Sequence, residues 1–354
     1  MVAVGAVEEA SASQVSDRGG DDNRAPGAGA VYVFRRSGAG WQQEAYLKSR
    51  NATAAAQFGW SVALWGDRLA IGERQFAQGV VHVLRRDSGG WGEEATLTPS
   101  VTVGIAAFGH SLALSDDTLV VGTPSEDSAA RGVNGSGDRT GASTSGAVFV
   151  YRRSGTSWSS EAYLKASNAE AGDQFGDSVA LAGDTLVVTA THEDSAARGV
   201  NGDQSSNRAR DSGAAYVFRR SGAVWVQEAY LKAHNADAGD LFGVSVAVSS
   251  ERLAVSSYAE ASGAVGVDGD GSNNLAPSSG AVYLFRRRGS GWVQEHYLKA
   301  PMSREGFELG NPLAFSCSTL VAGAVGDSSA GRGVNGDSGQ GALLDAGAAL
   351  LYTY

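Results

Sequence analysis

At 354 residues and 42% hydrophobic content the chain has enough apolar surface for a packed core, and 49 glycines beside 6 prolines suit frequent turns rather than a disordered stalk. Lysine and arginine number 28 against 38 aspartates and glutamates, and the resulting net charge of −10 repels phosphate and weighs against nucleic acid as a partner. No run of 18 apolar residues is present to cross a membrane as a helix, and the lone Cys317 excludes an internal disulfide.

From the N-terminus, Met1 to Ala10 has neither a basic region nor a long apolar stretch, so no signal peptide is visible. Its first six residues align with Thr118 to Thr123, the first sign of a repeat. Phe58-Gly59 opens the next copy, and Phe108-Gly109 follows 50 residues later. From there Phe175-Gly176, Phe242-Gly243 and the degenerate Leu309-Gly310 keep a step of 67 residues. A second marker keeps the same step: Gly146-Ala147-Val148, Gly213-Ala214-Ala215, Gly280-Ala281-Val282 and Gly347-Ala348-Ala349. Two markers in one register mean one supersecondary unit copied along the chain, each copy burying its apolar faces against its neighbours. The copies run 1–57, 58–107, 108–174, 175–241, 242–308 and 309–354, within a single domain covering 1–354.

The copy from 175 to 241 shows the internal pattern. Ser178 to Leu181 and Thr185 to Val188 are short apolar runs flanking the Gly183-Asp184 turn. A long polar loop leads to Ala214–Phe218, and Arg219 to Gly222 turn the chain into Trp225–Lys232. Four β-branched and aromatic runs bounded by Gly, Asp, Ser and Asn predict four strands, and no stretch sustains a helical period. The third run is apolar on both faces, as in Val148-Phe149-Val150-Tyr151, so both faces must be covered. The fold class is therefore all-β, a β-propeller of four-stranded antiparallel blades. The first copy lacks its first strand and the last lacks its fourth. Six blades are expected. The alternatives are five blades, with Trp41 to Lys48 completing the last one and two strands left over, or part of a seven-bladed ring.

Phe-Gly ahead of the first strand, Val120-Val121-Gly122-Thr123-Pro124 in the second and Gly-Ala-Val-Phe-Val in the third resemble the FG-GAP repeat. The Glu-Ala-Tyr-Leu-Lys strand at 161–165 and 228–232 is similar to that family's bacterial branch. The resemblance covers essentially the whole chain and implies an integrin-like propeller working as a binding or adhesion module outside the cell or at its surface. It implies little about a particular ligand, since a fold hosts many functions. Integrin-type repeats carry a calcium loop between strands one and two. Here that connection is a tight turn, as at Ala182-Gly183-Asp184, so those positions are not carried over.

Oxygen-bearing side chains recur instead in the loop between strands two and three. Asn201, Asp203, Ser205 and Asn207 alternate along it, and Asp268, Asp270, Ser272 and Asn274 repeat them in register. Weaker copies are Asn134-x-Ser136-x-Asp138-x-Thr140 and Asn335-x-Asp337. This spacing suits Ca2+, although none has the glutamate that closes a calcium loop, and a solvated turn with Asx hydrogen bonds explains it equally. The loops before strand one, Asn168 to Asp173 and Asn235 to Asp240, fall on the same rim and make it acidic. Asp173 and Asp240 are thus candidate ligand contacts. Paired arginines at 35/36, 85/86, 152/153, 219/220 and 286/287 mark the opposite rim, where Glu44, Glu161, Glu228 and Glu295 offer salt bridges.

Trp41, Trp91, Trp158, Trp225 and Trp292 recur once per copy and read as blade-packing residues, whereas the unrepeated Trp60 is a candidate contact. His110 follows Phe-Gly directly and His192 precedes Glu193-Asp194, so both are candidates on the acidic rim. No catalytic constellation stands out. The leading expectation is a non-enzymatic module binding a protein or glycan through the loop-rich acidic rim, possible calcium included. The alternatives are a polysaccharide lyase or hydrolase using His110 or His192, and a structural module of a larger surface protein.

Overall fold

The computed structural model describes residues 1–12, 23–38, 40–74, 78–100, 107–136, 140–316, 318–336, 343 and 345–353. Asp138, Cys317 and Asp337 lie outside the described residues. The described residues form 22 strands in six antiparallel sheets, and no helix among them is long and apolar enough to cross a membrane. The architecture is a six-bladed β-propeller.

The chain divides into two compact units, Met1–Lys165 and Ala166–Tyr354. In the first, blade 1 has three strands: β1 (Val2–Ala6), β2 (Ala30–Ser37) and β3 (Gly40–Leu47). Blade 2 has β4 (Val62–Trp65), β5 (Arg68–Glu73), β6 (Val80–Asp87) and β7 (Gly90–Leu97). Blade 3 has β8 (Ser111–Ser115), β9 (Thr118–Thr123), β10 (Ala147–Ser154) and β11 (Ser157–Leu164). The second unit opens with blade 4: β12 (Val179–Ala182), β13 (Thr185–Ala190), β14 (Ala214–Ser221) and β15 (Val224–Leu231). Blade 5 follows with β16 (Val246–Val248), β17 (Arg252–Ser257), β18 (Ala281–Arg288) and β19 (Gly291–Leu298). Blade 6 stops at three strands: β20 (Leu309–Ser316), β21 (Thr319–Ala324) and β22 (Ala348–Thr353). β3 pairs with β2, which rules out the five-blade alternative in which Trp41–Lys48 completes the final sheet.

Apolar runs on both faces of the third strands are buried as the pattern requires, with Val148, Phe149 and Val150 at 0% exposure. Within the second unit Val217, Phe242, Val255 and Tyr283 share one core between blades 4 and 5. Val83, Phe108, Val121 and Phe149 do the same between blades 2 and 3.

The two sequence markers are the halves of one contact between consecutive blades. Phe242 N–H donates to Ser212 O at 3.0 Å, and Phe58 N–H to Ala28 O at 2.9 Å. Beside these bonds Gly213 and Gly29 sit so close to the next blade that a Cβ would lie 2.1 Å from Phe242 O and 2.2 Å from Phe58 O. Only glycine fits at φ +77° and +79° against that backbone.

A second joint uses a β-bulge. Each third–fourth strand pair slips by one residue at the same place, for instance between Val33 and Phe34 or between Val217 and Phe218. The residue passed over is Glu44, Glu94, Glu161, Glu228 or Glu295 in the five copies. A bulge re-aims a side chain, and in blades 1, 2 and 4 it turns the carboxylate toward the following blade. Glu44 accepts Trp91 Nε1–H at 3.2 Å and Arg86 Nε–H at 2.6 Å, while Glu228 accepts Trp292 Nε1–H at 3.1 Å and Arg287 Nη1–H at 2.6 Å. Trp91 thereby ties blade 2 to blade 1 and Trp292 ties blade 5 to blade 4, with Arg86 and Arg287 spent on the same carboxylates.

Candidate functional site: a loop rim and an interblade cleft

The β13–β14 and β17–β18 loops stand on a buried polar base. Lys232 Nζ lies 2.9 Å from Glu193 Oε2 and 2.6 Å from Ser212 Oγ, and Lys299 repeats this with Glu260 at 2.6 Å and Ser279 at 2.7 Å. Tyr230 and Tyr297 hydroxyls meet Ser195 and Ser262 at 2.6 Å in the same layer. These groups tie each loop to the fourth strand of its own blade. Burial pushes the lysines below their ordinary pKa while the paired carboxylates push back.

The eight alternating oxygen residues are exposed on those loops. Asn201 Oδ1 accepts Tyr230 N–H at 2.9 Å, and Asp268 Oδ1 accepts Tyr297 N–H at 2.9 Å. Both sit at φ 55°, a conformation asparagine and aspartate tolerate, so each closes a turn. Asp203 and Asp270 accept the N–H groups of Ser205 and Ser272 at 2.9 and 3.0 Å, which are Asx turns. Asn207 donates to Glu170, and Asn274 donates to Asp237 at 3.2 Å. The two loop families thus meet on one rim, as the topology predicts. For Ca2+ the fit is incomplete: the first and third oxygens of each loop already hold backbone N–H groups, and no group of three His, Cys, Asp or Glu positioned for a metal occurs among the described residues.

Asp173 and Asp240 sit beneath this rim at 4% and 5% exposure, so neither faces a ligand. Each accepts an N–H three residues back, from Glu170 and Asp237, at 2.8 Å. Burial, with Glu193 near one and Glu260 near the other, drives both carboxyls up to about 7.

Trp60 and His110 lie just before β4 and β8 with their rings 5.8 Å apart, and the Arg74 guanidinium is 4.2 Å over the indole. In the second unit Thr191 Oγ1 contacts Asp177 Oδ2 at 3.1 Å and His192 Nδ1 at 3.0 Å. A hydroxyl between imidazole and carboxylate has the composition of a nucleophilic site, but Thr191 is 2% exposed and out of substrate reach. The β17–β18 loop also presents apolar tips that sequence reading passed over. Leu275 is 82% exposed, and Val265 and Val267 are 52% and 54% exposed.

Sequence reading also missed a cleft of about 480 Å³ between β3 of blade 1 and β7 of blade 2. Other four-stranded blades pair aromatics across β-strands three and four: Phe149 with Tyr163, Tyr216 with Tyr230 and Tyr283 with Tyr297. Blade 1 does so with Tyr32 and Tyr46. Blade 2 places His82 opposite Thr96. His82 Nε2 lies 2.7 Å from Glu73 Oε2 and its Nδ1 lies 3.1 Å from Glu93 Oε1. Burial opposes the imidazolium, but these two carboxylates outweigh it and raise the pKa. Aligning Thr96 with Tyr163 at the 67-residue step carries this signal in the sequence.

A family model described as FG-GAP repeat matches residues 41–83, 91–151, 158–218 and 225–285. No curated protein matches the chain. Among solved structures, Sqt1 from Chaetomium thermophilum is 13% identical at TM-score 0.46, covering 84% of this chain and 62% of its own. Saccharomyces cerevisiae Sqt1 is 12% identical at TM-score 0.39, covering 77% and 71%. An Aleuria aurantia lectin described as a six-bladed β-propeller with a novel fucose recognition mode is 11% identical at TM-score 0.41, covering 78% and 73%. Similarity at this level carries no functional argument.

Proposed function

The chain belongs to the FG-GAP repeat family, and from that premise we propose that it is a non-enzymatic binding module that recognises a protein through its loop-rich rim, outside the cell or at its surface. The carrying observation is Leu275, 82% exposed, on the same loop as the exposed Val265 and Val267, a loop anchored by the buried Lys299–Glu260 pair. Apolar side chains held in water on a rigid base, rimmed by Asp268, Asp270 and Asp237, have the make-up of a protein contact. A glycan is the second candidate, and the acidic rim favours a partner with cationic or hydroxyl groups. Calcium belongs to the same proposal only through the second carboxylate oxygens of Asp203 and Asp270, whose Oδ1 atoms hold the Ser205 and Ser272 N–H groups. The sealed Thr191 favours binding over catalysis.

Probing extracellular-protein and glycan arrays with the wild-type chain and with Val265→Asp/Leu275→Asp, in millimolar calcium and in EDTA, tests this reading. The expected result is a protein signal lost in the variant. Signals identical for the two proteins count against the rim, and equal signals in calcium and EDTA remove the cation.

A further inference from the structure

We propose that the cleft between blades 1 and 2 is a separate binding site for a neutral, polyhydroxylated ring, a single sugar unit. Blade 2 departs from its repeat beside this cleft. Where blades 4 and 5 stack Tyr216 on Tyr230 and Tyr283 on Tyr297 with centroids 5.3 Å apart, blade 2 has His82 and an exposed Thr96. His82 lines the cleft, and the residue paired with it, Thr96, carries no ring where its counterparts Tyr163, Tyr230 and Tyr297 do. Gly90 and Gly92 widen the opening, since a Cβ on either would meet nothing within 4 Å. The cleft of about 480 Å³ accommodates a hexose with room for its linkage.

The lining selects the ligand's charge. The cations that line the cleft already face carboxylates, Lys48 with Glu9 at 2.6 Å and Arg50 with Glu93 at 2.9 Å, and the His82 imidazole is hydrogen-bonded to Glu73 at 2.7 Å. A net cation or anion therefore finds its countercharge compensated, and entering would expose one partner of a pair. Neutral hydroxyls incur no such cost, and their hydrogen bonds to charged groups are stronger than those to neutral ones. The half-buried Trp91 supplies the apolar wall against which the C–H face of a sugar ring packs. This site is distinct from the rim and uses none of its residues.

Saturation-transfer NMR and calorimetry with the methyl glycosides of glucose, galactose, mannose, fucose and N-acetylglucosamine test the proposal, with spermidine and glucose 6-phosphate as charged probes. Thr96→Tyr restores the residue found at 163, 230 and 297 and is expected to fold. At least one glycoside is expected to bind the wild type, with Kd raised tenfold or more in Thr96→Tyr and unchanged in Val265→Asp/Leu275→Asp. His82→Phe, which restores the residue found at 149, is read in the same way should Thr96→Tyr fail to fold. No glycoside binding to the wild type, equal binding to the refilled variants, or preferential binding of a charged probe overturns it. Because the rim variant is scored separately, failure here leaves the protein-binding reading standing, and the reverse.

Discussion

The Lys232 ammonium lies 2.9 Å from Glu193 Oε2 with neither side chain reaching solvent, and the contact recurs 67 residues on between Lys299 and Glu260. A buried ion pair is weak evidence for net stabilisation, because two desolvation penalties oppose the attraction. Removing one partner is different, since it strands the other. Lys232→Met is expected to cost about 3–5 kcal/mol in urea unfolding, and Lys232→Met/Glu193→Gln is expected to recover most of that loss. A double variant no more stable than the single one would show that the pair does not act as a unit.

Gly213 makes the sharpest demand on side-chain size. A Cβ there meets Phe242 O at 2.1 Å and Phe242 N at 2.6 Å, both backbone atoms of the next blade. Gly213→Ala is expected to separate blades 4 and 5 at a cost above about 4 kcal/mol, the range reserved for named structural breaks. Gly222 shares the left-handed backbone at φ +64° but has nothing within 4 Å. Gly222→Ala is therefore expected to cost only about 1–2 kcal/mol, the intrinsic penalty of that conformation. Thermal unfolding of the two variants side by side checks the contrast.

Trp292 and Trp41 occupy the same repeat position with different surroundings. Trp292 is 3% exposed and donates to Glu228 at 3.1 Å, whereas Trp41 is 54% exposed. Trp292→Phe deletes one charge-assisted hydrogen bond and is expected to cost about 1.5–3 kcal/mol. Trp41→Phe is expected to stay within about 0.5 kcal/mol. Equal losses on chemical denaturation would mean that the indole acts through its area and not through its N–H.

Blade boundaries were legible because periodicity encodes them: Phe242 and Gly213 mark a contact that recurs at Phe58 and Gly29, at Phe108 and Gly79 and at Leu309 and Gly280. Strand identity was legible for the same reason, since β14 must be apolar on both faces to lie between neighbouring sheets. The placement of Asp173 was not. Its spacing from Glu170 reads as an acidic loop, and only the folded turn shows the carboxylate pointing inward to cap a backbone N–H. The bulge at Glu228 was equally hidden, because a one-residue slip leaves no mark in an alternating pattern. His82 and Thr96 were visible as departures from the repeat, but their significance depends on the aromatic pair that fills the same place in other blades.

Asp173 and Asp240 set the expected pH response. Their carboxyls rise from 3.8 to about 7 on folding, so the folded state holds protons that the unfolded chain releases. Such groups contribute stability fully present below pH 3.8 and lost as pH climbs through about 7. His82, also raised on folding, adds to the same slope. Opposing them, Glu44 and Glu295 are held low by Arg86 and Arg252, and their contribution disappears only in stronger acid. The urea midpoint is therefore expected to fall between pH 5 and pH 8, each aspartate contributing up to about 3 kcal/mol over that window. Asp173→Asn/Asp240→Asn keeps an acceptor for the Glu170 and Asp237 N–H groups but cannot ionise. Its midpoint is expected to vary less across that window and to exceed the wild type at pH 8. Parallel curves for the two proteins would assign the slope to His82 instead.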